Sequence, residues 1–211
     1  MMKKILLDCD PGHDDMMAIM LASVDSNIEV LGLTTVAGNQ TGDKTFINAR
    51  SILTLLGRED IPLARGADKP LTRELVVAPQ IHGKSGLDGA ELPGPDAPYL
   101  DCHAADFIID TLKASKQKIT LVPTGPLTNV ALALIKAPEI KEKISDIVLM
   151  GGGVYDSNIT PAAEFNIYVD PEAARIVFQS GVPLTMIGLD VTNKAAMTFE
   201  QIADMSSWGG R

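Results

Sequence analysis

Short apolar runs alternate along the chain with stretches whose apolar positions have helical spacing. The pairs are "KKILLDCD" then "DDMMAIMLASV", "IEVLGLTTVAG" then "TFINARSILTLLG", "KITLVPTG" then "PLTNVALALIKA", and "DIVLMGGG" then "DPEAARIVFQSG", followed by "PLTMIGLD". Strand followed by helix, repeated, predicts an α/β fold with an open, mostly parallel sheet and helices on both faces. We expect residues 1–211 to form a single domain and "TFEQIADMSSWGGR" to begin a further helix.

The alternation stops between Lys69 and Leu100. This segment, "KPLTRELVVAPQIHGKSGLDGAELPGPDAPYL", is rich in proline and glycine. A long irregular segment within a compact domain is usually functional, often as a lid or an active-site loop. We therefore expect it to border a site.

Composition excludes several classes of partner. A net charge of −9 without clustered lysine and arginine argues against nucleic-acid binding. The apolar run at the start is interrupted by Asp8, and no later run is long enough for a membrane span, so we expect no membrane partner. Two cysteines, Cys9 and Cys102, form no disulfide framework, which favours a reduced, cytoplasmic setting.

Four carboxylates are crowded into "LLDCDPGHDD", directly after the first predicted strand. Asp14 or Asp15 can cap the following helix, and Asp8 can bind within a turn. Capping needs only one carboxylate, and the others repel one another unless a cation lies among them. The stretch therefore predicts a site for a hard cation near Asp10.

Four further polar side chains and one methionine come after later predicted strands. Ligands of an open parallel sheet bind beyond the carboxyl ends of its strands, so these side chains are expected to converge. Two of them, in "AEFNIYVDPE", are two positions apart and would share one face of an extended segment. Each also has a structural explanation, such as a turn, a helix start or a solvated surface position. The residues are Asn39, Thr124, Met150, Glu164 and Asn166.

Five stretches in this order, "DCDPGHDD", "AGNQT", "PTGPLTNVALAL", "VLMGGG" and "AEFNIYVDPEAA", resemble the inosine-uridine preferring nucleoside hydrolases. The resemblance runs from Ile5 to about Asp190. It implies a calcium-dependent enzyme that cleaves the N-glycosidic bond of ribonucleosides, giving free base and ribose. It also implies a homo-oligomer, either a tetramer or a dimer.

The resemblance further implies a role for each candidate residue. Asp10, Asp15 and the Thr124 carbonyl would hold Ca²⁺, and Asp10 would act as general base toward a calcium-bound water. The ribose would contact Asp14, Asn39, Met150, Glu164 and Asn166. The stretch "IHGKSGLDG" is similar to the pyrimidine-preferring branch, in which a histidine lies beside the base; here that residue is His82, and uridine or cytidine the expected substrate.

Two alternatives remain open on the sequence. Chains of this family continue beyond the position of Arg211, where they carry another metal-binding aspartate and a histidine. The chain is therefore expected to be truncated, poorly active and weak in calcium binding, so that an inactive remnant or ribose-binding module is one alternative. The other is a magnesium phosphohydrolase built on paired aspartates, which is disfavoured because no hydroxyl residue follows closely after "DCD".

Overall fold

The computed structural model describes residues 2–89 and 91–208. Its strands are β1 (Lys3–Cys9), β2 (Ile28–Thr35), β3 (Leu63–Arg65), β4 (Leu100–His103), β5 (Ile119–Pro123), β6 (Ile144–Met150) and β7 (Leu184–Ile187). Its α-helices are α1 (His13–Val24), α2 (Gly42–Leu56), α3 (Pro79–His82), α4 (Ala104–Ala114), α5 (Thr128–Lys136), α6 (Phe165–Val169), α7 (Pro171–Phe178), α8 (Leu189–Thr192) and α9 (Phe199–Ser207). A 3₁₀-helix spans Pro138–Lys143.

The seven strands form one sheet in the order β4-β3-β2-β1-β5-β6-β7. Every pairing among the described strands is parallel. The predicted parallel sheet is thereby confirmed.

Strand β1 lies at the point where the winding of the sheet reverses. Leu7 of β1 pairs with Leu33 of β2 on one side and with Val122 of β5 on the other. The chain therefore leaves β1 toward one edge and resumes at β5 toward the opposite edge. The connections that follow β1 and β5 diverge, which opens a crevice at the carboxyl ends of these two strands.

Helices cover both faces of the sheet, as predicted. On one face α1 and α2 contribute Ile19, Ile52 and Leu53 to a buried cluster with Leu33. On the other face α4, α5 and α7 bury a second cluster around Leu112, Val130 and Val177. Burial of this apolar surface is the main free-energy source for the fold.

A buried aspartate ties the irregular segment to the helices of the second face. Asp170 caps α7, with Pro171 at the first helical position, and accepts from the backbone N–H of Ala173 at 2.9 Å. The same carboxylate accepts from the Leu71 N–H at 2.8 Å and the Thr128 hydroxyl at 2.7 Å. The start of the segment is therefore anchored beside the sheet.

The irregular segment is followed by elements that the sequence did not predict. Strand β4 and helix α4 come directly after it, and the three-residue β3 precedes it. The helix predicted near the end is present as α9, and residues 209–211 of that stretch lie outside the described residues. No helix in the described part of the chain has the length and apolarity needed to cross a membrane.

Candidate active site

Two carboxylates are buried together at the carboxyl end of β1. Asp10 is 1% exposed and Asp15, in the first turn of α1, is 2% exposed. No lysine or arginine in the described residues forms an ion pair with either one. Burial and then the charge of Asp15 raise the pKa of Asp10 well above its usual range, and burial together with Asp14 raises that of Asp15 to about 7. The two carboxylates therefore lack a neighbouring positive charge that would favour their ionised forms.

Asp10 keeps one oxygen free. Its Oδ2 accepts from the backbone N–H of Asn39 at 2.6 Å, whereas Oδ1 is buried without a hydrogen-bond partner in the described residues. Two glycines make room for this side chain. A Cβ at Gly38 would lie 2.2 Å from Oδ2, and a Cβ at Gly125 would lie 2.5 Å from Oδ1. The surrounding loops thus approach the carboxylate as closely as backbone allows.

Asp15 is held by the helix start and by β5. Its Oδ2 accepts from the N–H of Gly12 at 3.1 Å, which satisfies a donor at the N-terminus of α1. Its Oδ1 accepts from the Thr124 hydroxyl at 2.6 Å. These bonds fix Asp15 across the crevice between β1 and β5.

The four clustered carboxylates do not form one group. Asp8 accepts from the Thr34 hydroxyl at 2.6 Å and the Asn129 amide at 2.8 Å. Burial raises its pKa to about 6, and both bonds act in the opposite direction. Asp14 is exposed at the entrance to the crevice. Asp8 lies within β1 and bonds to side chains of β2 and α5 rather than within a turn, so the turn explanation for Asp8 is wrong, and the charge repulsion centres on Asp10 and Asp15.

Asn39 and Asn166 orient the groups around this pair. Asn39 donates through Nδ2 to the backbone oxygen of Asp10 at 3.1 Å and to Asp15 Oδ2 at 3.4 Å. Asn166 donates to the Thr124 carbonyl at 2.8 Å and to the Met150 carbonyl at 3.2 Å. A carbonyl oxygen has two lone pairs, so that of Thr124 retains acceptor capacity.

Glu164 and Asn166 are not on an extended segment, which corrects the sequence prediction. Glu164 is the N-cap of α6, where its side chain accepts from the N–H of Ile167 at 3.2 Å, and Asn166 is within that helix. The cap starts a helical turn because it satisfies a terminal donor. Glu164 also accepts from the N–H of Gly152 at 2.9 Å, in a loop whose φ of 71° at Gly152 favours glycine.

His82 reaches the same crevice from the irregular segment. It ends α3, and its ring stacks on that of His13 with centroids 5.9 Å apart. Its Nδ1 is buried without a hydrogen-bond partner in the described residues, and burial lowers the pKa of the ring. A Cβ at Gly12 would lie 2.5 Å from that nitrogen. His103, in contrast, accepts from the Ala105 N–H and caps α4.

These side chains surround one cavity of about 230 Å³ above the buried pair. Seven of the nine predicted site residues line it, and Asp10 and Asp15 lie beneath its wall, bonded to Asn39 and Thr124. The lining members are Asp14, Asn39, His82, Thr124, Met150, Glu164 and Asn166. A concave site with convergent polar groups is the usual form of a small-molecule site.

The family model of the inosine-uridine preferring nucleoside hydrolases matches residues 5–210. The chain belongs to this family. The family resemblance read from the sequence is thereby confirmed. Asp10 and Asp15 of this nucleoside hydrolase follow its first strand, at the reversal point of the family's α/β sheet.

Curated relatives of this nucleoside hydrolase are described as pyrimidine-specific ribonucleoside hydrolase RihA. The protein from Photobacterium profundum is 54% identical over 202 residues, which are 96% of this chain and 65% of the relative. The protein from Salmonella arizonae is 58% identical over 191 residues, 90% of this chain and 61% of the relative. The nucleoside hydrolase chain thus spans under two thirds of the length of these relatives.

A solved structure has the same fold. The purine-preferring ribonucleoside hydrolase from Gardnerella vaginalis superposes with a TM-score of 0.89 at 41% identity, over 94% of this chain and 64% of that one. That enzyme is described as purine-preferring, whereas the curated relatives are described as pyrimidine-specific. The shared fold therefore leaves base preference to the residues that line the cavity.

The donors around the buried pair fit a hard cation. Within residues 2–89 and 91–208, no three His, Cys, Asp or Glu side chains form a group arranged to hold a metal. The fit therefore rests on Asp10, whose Oδ1 is unpartnered, on Asp15, and on the Thr124 carbonyl. All of these donors are oxygens, which suits a hard cation that takes six to eight oxygen ligands, some of them from water or substrate.

Several cavity residues were missed by the sequence analysis. Asn158 and Ile159 line the cavity from the loop after β6, and Gln80 and Ile81 line it beside His82. Asn158 has no motif around it, but its position after a strand at the same edge was an available signal. Gln80 and Ile81 could have been found as neighbours of His82.

Proposed function

We propose that this chain carries the ribose and metal site of a ribonucleoside hydrolase. The reaction is hydrolysis of the N-glycosidic bond to free base and ribose. The observation that carries the proposal is the pair Asp10 and Asp15, buried without a cationic partner beneath a polar cavity at the sheet reversal. Membership of the nucleoside hydrolase family and the names of its relatives support the reaction class.

Calcium is the proposed cofactor, held by Asp10, Asp15 and the Thr124 carbonyl. When bound, it supplies positive charge that keeps both carboxylates ionised and lowers the pKa of nearby water. The ion cannot itself accept a proton, so the general base must be a residue of the protein. The carboxylate of Asp10, whose Oδ1 has no hydrogen-bond partner in the described residues, is the proposed acceptor.

In the proposed reaction, Asp10 accepts a proton from a water molecule as the water oxygen bonds to the anomeric carbon. The C–N bond breaks, and the base leaves with that electron pair and takes up a proton. Positive charge develops on the sugar in the oxocarbenium-like transition state. The carboxylates of Asp10 and Asp15 lie where they stabilise that charge.

The sugar hydroxyls are assigned to the acceptors and amides along the wall. Asp14, Asn39, Glu164 and Asn166 line one cavity with Met150 and provide both donors and acceptors. A site built to bond each hydroxyl discriminates strongly against a sugar that lacks one, because its polar groups are left unpaired. Ribonucleosides are therefore proposed over deoxyribonucleosides.

His82 is assigned to the base, and pyrimidines are the proposed substrates. The support is its position on the cavity wall and the pyrimidine specificity given in the names of the curated relatives.

Two further proposals accompany this one. Exposed apolar side chains support a homo-oligomer, and the unpaired Cys9 and Cys102 support a cytoplasmic location.

Ribose binding without turnover is a second candidate function. It is favoured by the small number of proposed metal ligands, which are two carboxylates and one carbonyl, and by the absence in the described residues of three His, Cys, Asp or Glu side chains arranged to hold a metal. Calcium bound through so few protein ligands would be weak. The cavity and its hydroxyl-binding wall would still hold the sugar.

One experiment separates these functions. The purified chain is incubated with Ca²⁺ and uridine, and free uracil and ribose are quantified against Asp10→Asn and an EDTA control. Hydrolysis predicts equal amounts of both products, lost in the variant and in EDTA. Ribose affinity by calorimetry without uracil release would support the binding module, and phosphate release from a nucleotide would contradict both.

A further inference from the structure

Three side chains in and just before α2 hold the backbone of the His82 segment. Lys44 and Asn48 are four residues apart on one side of α2, and Gln40 lies two residues before the helix begins. Each donates to one of three consecutive carbonyls. The bonds are Gln40 Nε2 to Gly83 O at 2.8 Å, Lys44 Nζ to Lys84 O, and Asn48 Nδ2 to Ser85 O at 3.0 Å.

Asn48 differs from the other two because its second partner belongs to the loop of Asp10 and Asp15, whereas the second bond of Lys44 is to Gln40 Oε1 at 3.1 Å. The same Nδ2 donates to the carbonyl of Pro11 at 3.0 Å. Pro11 lies between Asp10 and Gly12, and Gly12 in turn donates its N–H to Asp15. Asn48, which is 7% exposed, thus donates the two N–H groups of its side-chain amide to two separate loops.

The contacts leave little freedom at this junction. Gly86 has φ of 95°, and a Cβ there would lie 2.8 Å from Asn48 Nδ2, so the loop packs directly against the amide. In the loop between Asp10 and Asp15, Gly12 lies against the ring of His82. Both acceptors of Asn48 are carbonyls, so its amide orientation is determined by bonding.

We propose that Asn48 is a positioning residue that couples the loop of Asp10 and Asp15 to the segment that places His82. The inference rests on the proposed metal role of these aspartates. A cation held by Asp10 and Asp15 immobilises the Pro11 carbonyl between them. Through the amide of Asn48, that immobilisation reaches Ser85 and orders the wall of the cavity on which His82 lies. Metal binding and base recognition then reinforce each other.

Hydrogen exchange of backbone amides tests the coupling without any need for turnover. In the 211-residue chain, Ca²⁺ is expected to slow exchange at residues 10–15 and at residues 83–88, by about threefold to tenfold in the second segment. In Asn48→Leu, Ca²⁺ should still slow exchange at residues 10–15 but no longer at residues 83–88. A retained response at residues 83–88 would overturn the proposal.

Lys44→Met is the matched control. The substitution removes the Lys44 bond to the same segment and its bond to Gln40, and within the described residues Lys44 makes no hydrogen bond to residues 10–15. Faster exchange at residues 83–88 is expected without calcium, with the response to calcium preserved. If Lys44→Met loses that response as Asn48→Leu does, general loosening of the segment explains both, and the proposal is wrong.

Gly86→Ala tests the coupling in the other direction and without a metal. The added Cβ displaces the segment from Asn48, and exchange at residues 10–15 should speed up by about threefold or more. Unchanged exchange there would overturn the coupling. Absence of any calcium response in the unmodified chain would instead count against the proposed metal site, and this metal-free arm would still decide the coupling.

Discussion

Asp10 and Asp15 place two carboxyl groups side by side at buried positions, where they are 1% and 2% exposed. Each retains hydrogen bonds, but those bonds come from neutral N–H and hydroxyl groups rather than from cations. Desolvation therefore dominates and raises the pKa of both groups. A divalent cation reverses this balance, because it favours the ionised form of each carboxylate.

Asp10→Asn should separate the metal role from simple charge. It removes a charged ligand while conserving shape, so calcium affinity should fall by about 100-fold or more, and any turnover by about 10²-fold to 10⁴-fold. Calcium titration by calorimetry measures the first effect. Asp14→Asn makes the same charge change at an exposed position and should alter affinity only a few-fold; equal losses in both variants would contradict the site.

His82→Ala should affect the base and spare the sugar. The ring lines the cavity from α3, whereas the groups assigned to ribose come from other elements. Affinity for uridine should drop by about tenfold, the effect of losing one good contact, while ribose affinity stays constant. His13→Ala removes the stacked outer ring and is the control. A parallel loss for ribose and uridine would argue against the assignment.

At the level of single residues, the sequence predicted which side chains would meet but not what each would bond. Asp8 belongs to the same acidic stretch as Asp10, yet it turns to Thr34 and Asn129, which are distant in the chain. Glu164 and Asn166 share a wall although Asn166 lies in a helix and Glu164 is the N-cap before it. Side-chain partners depend on tertiary contacts that no local pattern encodes.

At the level of elements, hydrophobic patterning predicted the buried strands and missed the marginal ones. β1 has a run of buried positions, and its apolar run is visible in the sequence. β3 has only three residues, and all four residues of β4 are exposed, so neither has a periodic signal. Their pairing comes from neighbours in the sheet.

A cross-strand network beneath the site joins three elements. Asn129 of α5 donates to Asp8 of β1 and to the Thr35 carbonyl of β2, and its Oδ1 accepts from the Ala67 N–H at 2.9 Å. These bonds connect loops from both sides of the sheet reversal. The amide also supplies one of the two side-chain bonds to the Asp8 carboxylate.

Asn129→Leu should therefore destabilise the fold by about 2–4 kcal/mol, because it removes one of the two side-chain bonds to the buried Asp8 carboxylate and the bonds to the Thr35 carbonyl and the Ala67 N–H. Denaturation in urea, read by circular dichroism, measures the loss. Asn27→Ala, at an exposed turn where the amide bonds only to Asp25, is the control and should cost no more than about 0.5 kcal/mol. Indistinguishable midpoints would show that the network is not a stabilising one.

For the whole molecule, calcium should act as a stabilising ligand. An ion that binds only the folded chain at 100 times its Kd adds about 2.7 kcal/mol. For a chain of this size, that corresponds to a rise in Tm of about 5–10 °C. Thermal denaturation with Ca²⁺, with Mg²⁺ and with EDTA provides the comparison. A rise of equal size in Asp10→Asn would place the ion elsewhere.

The apolar surface of the whole molecule leads to a last expectation, about association. Helix α9 has no buried residue, and its Phe199 and Trp208 are 93% and 70% exposed. Tyr155, in the loop after β6, is also 93% exposed. Large apolar side chains exposed to this extent favour association, so we expect the chain to self-associate as concentration rises.

Sedimentation velocity over a concentration series should show the shift, and the double variant Phe199→Ser, Trp208→Ser should weaken it. The control Asp204→Ser changes a polar side chain of the same helix and should not. A single monomeric species throughout, or equal association in the double variant, would mean that Phe199 and Trp208 are not part of a surface through which the chain associates.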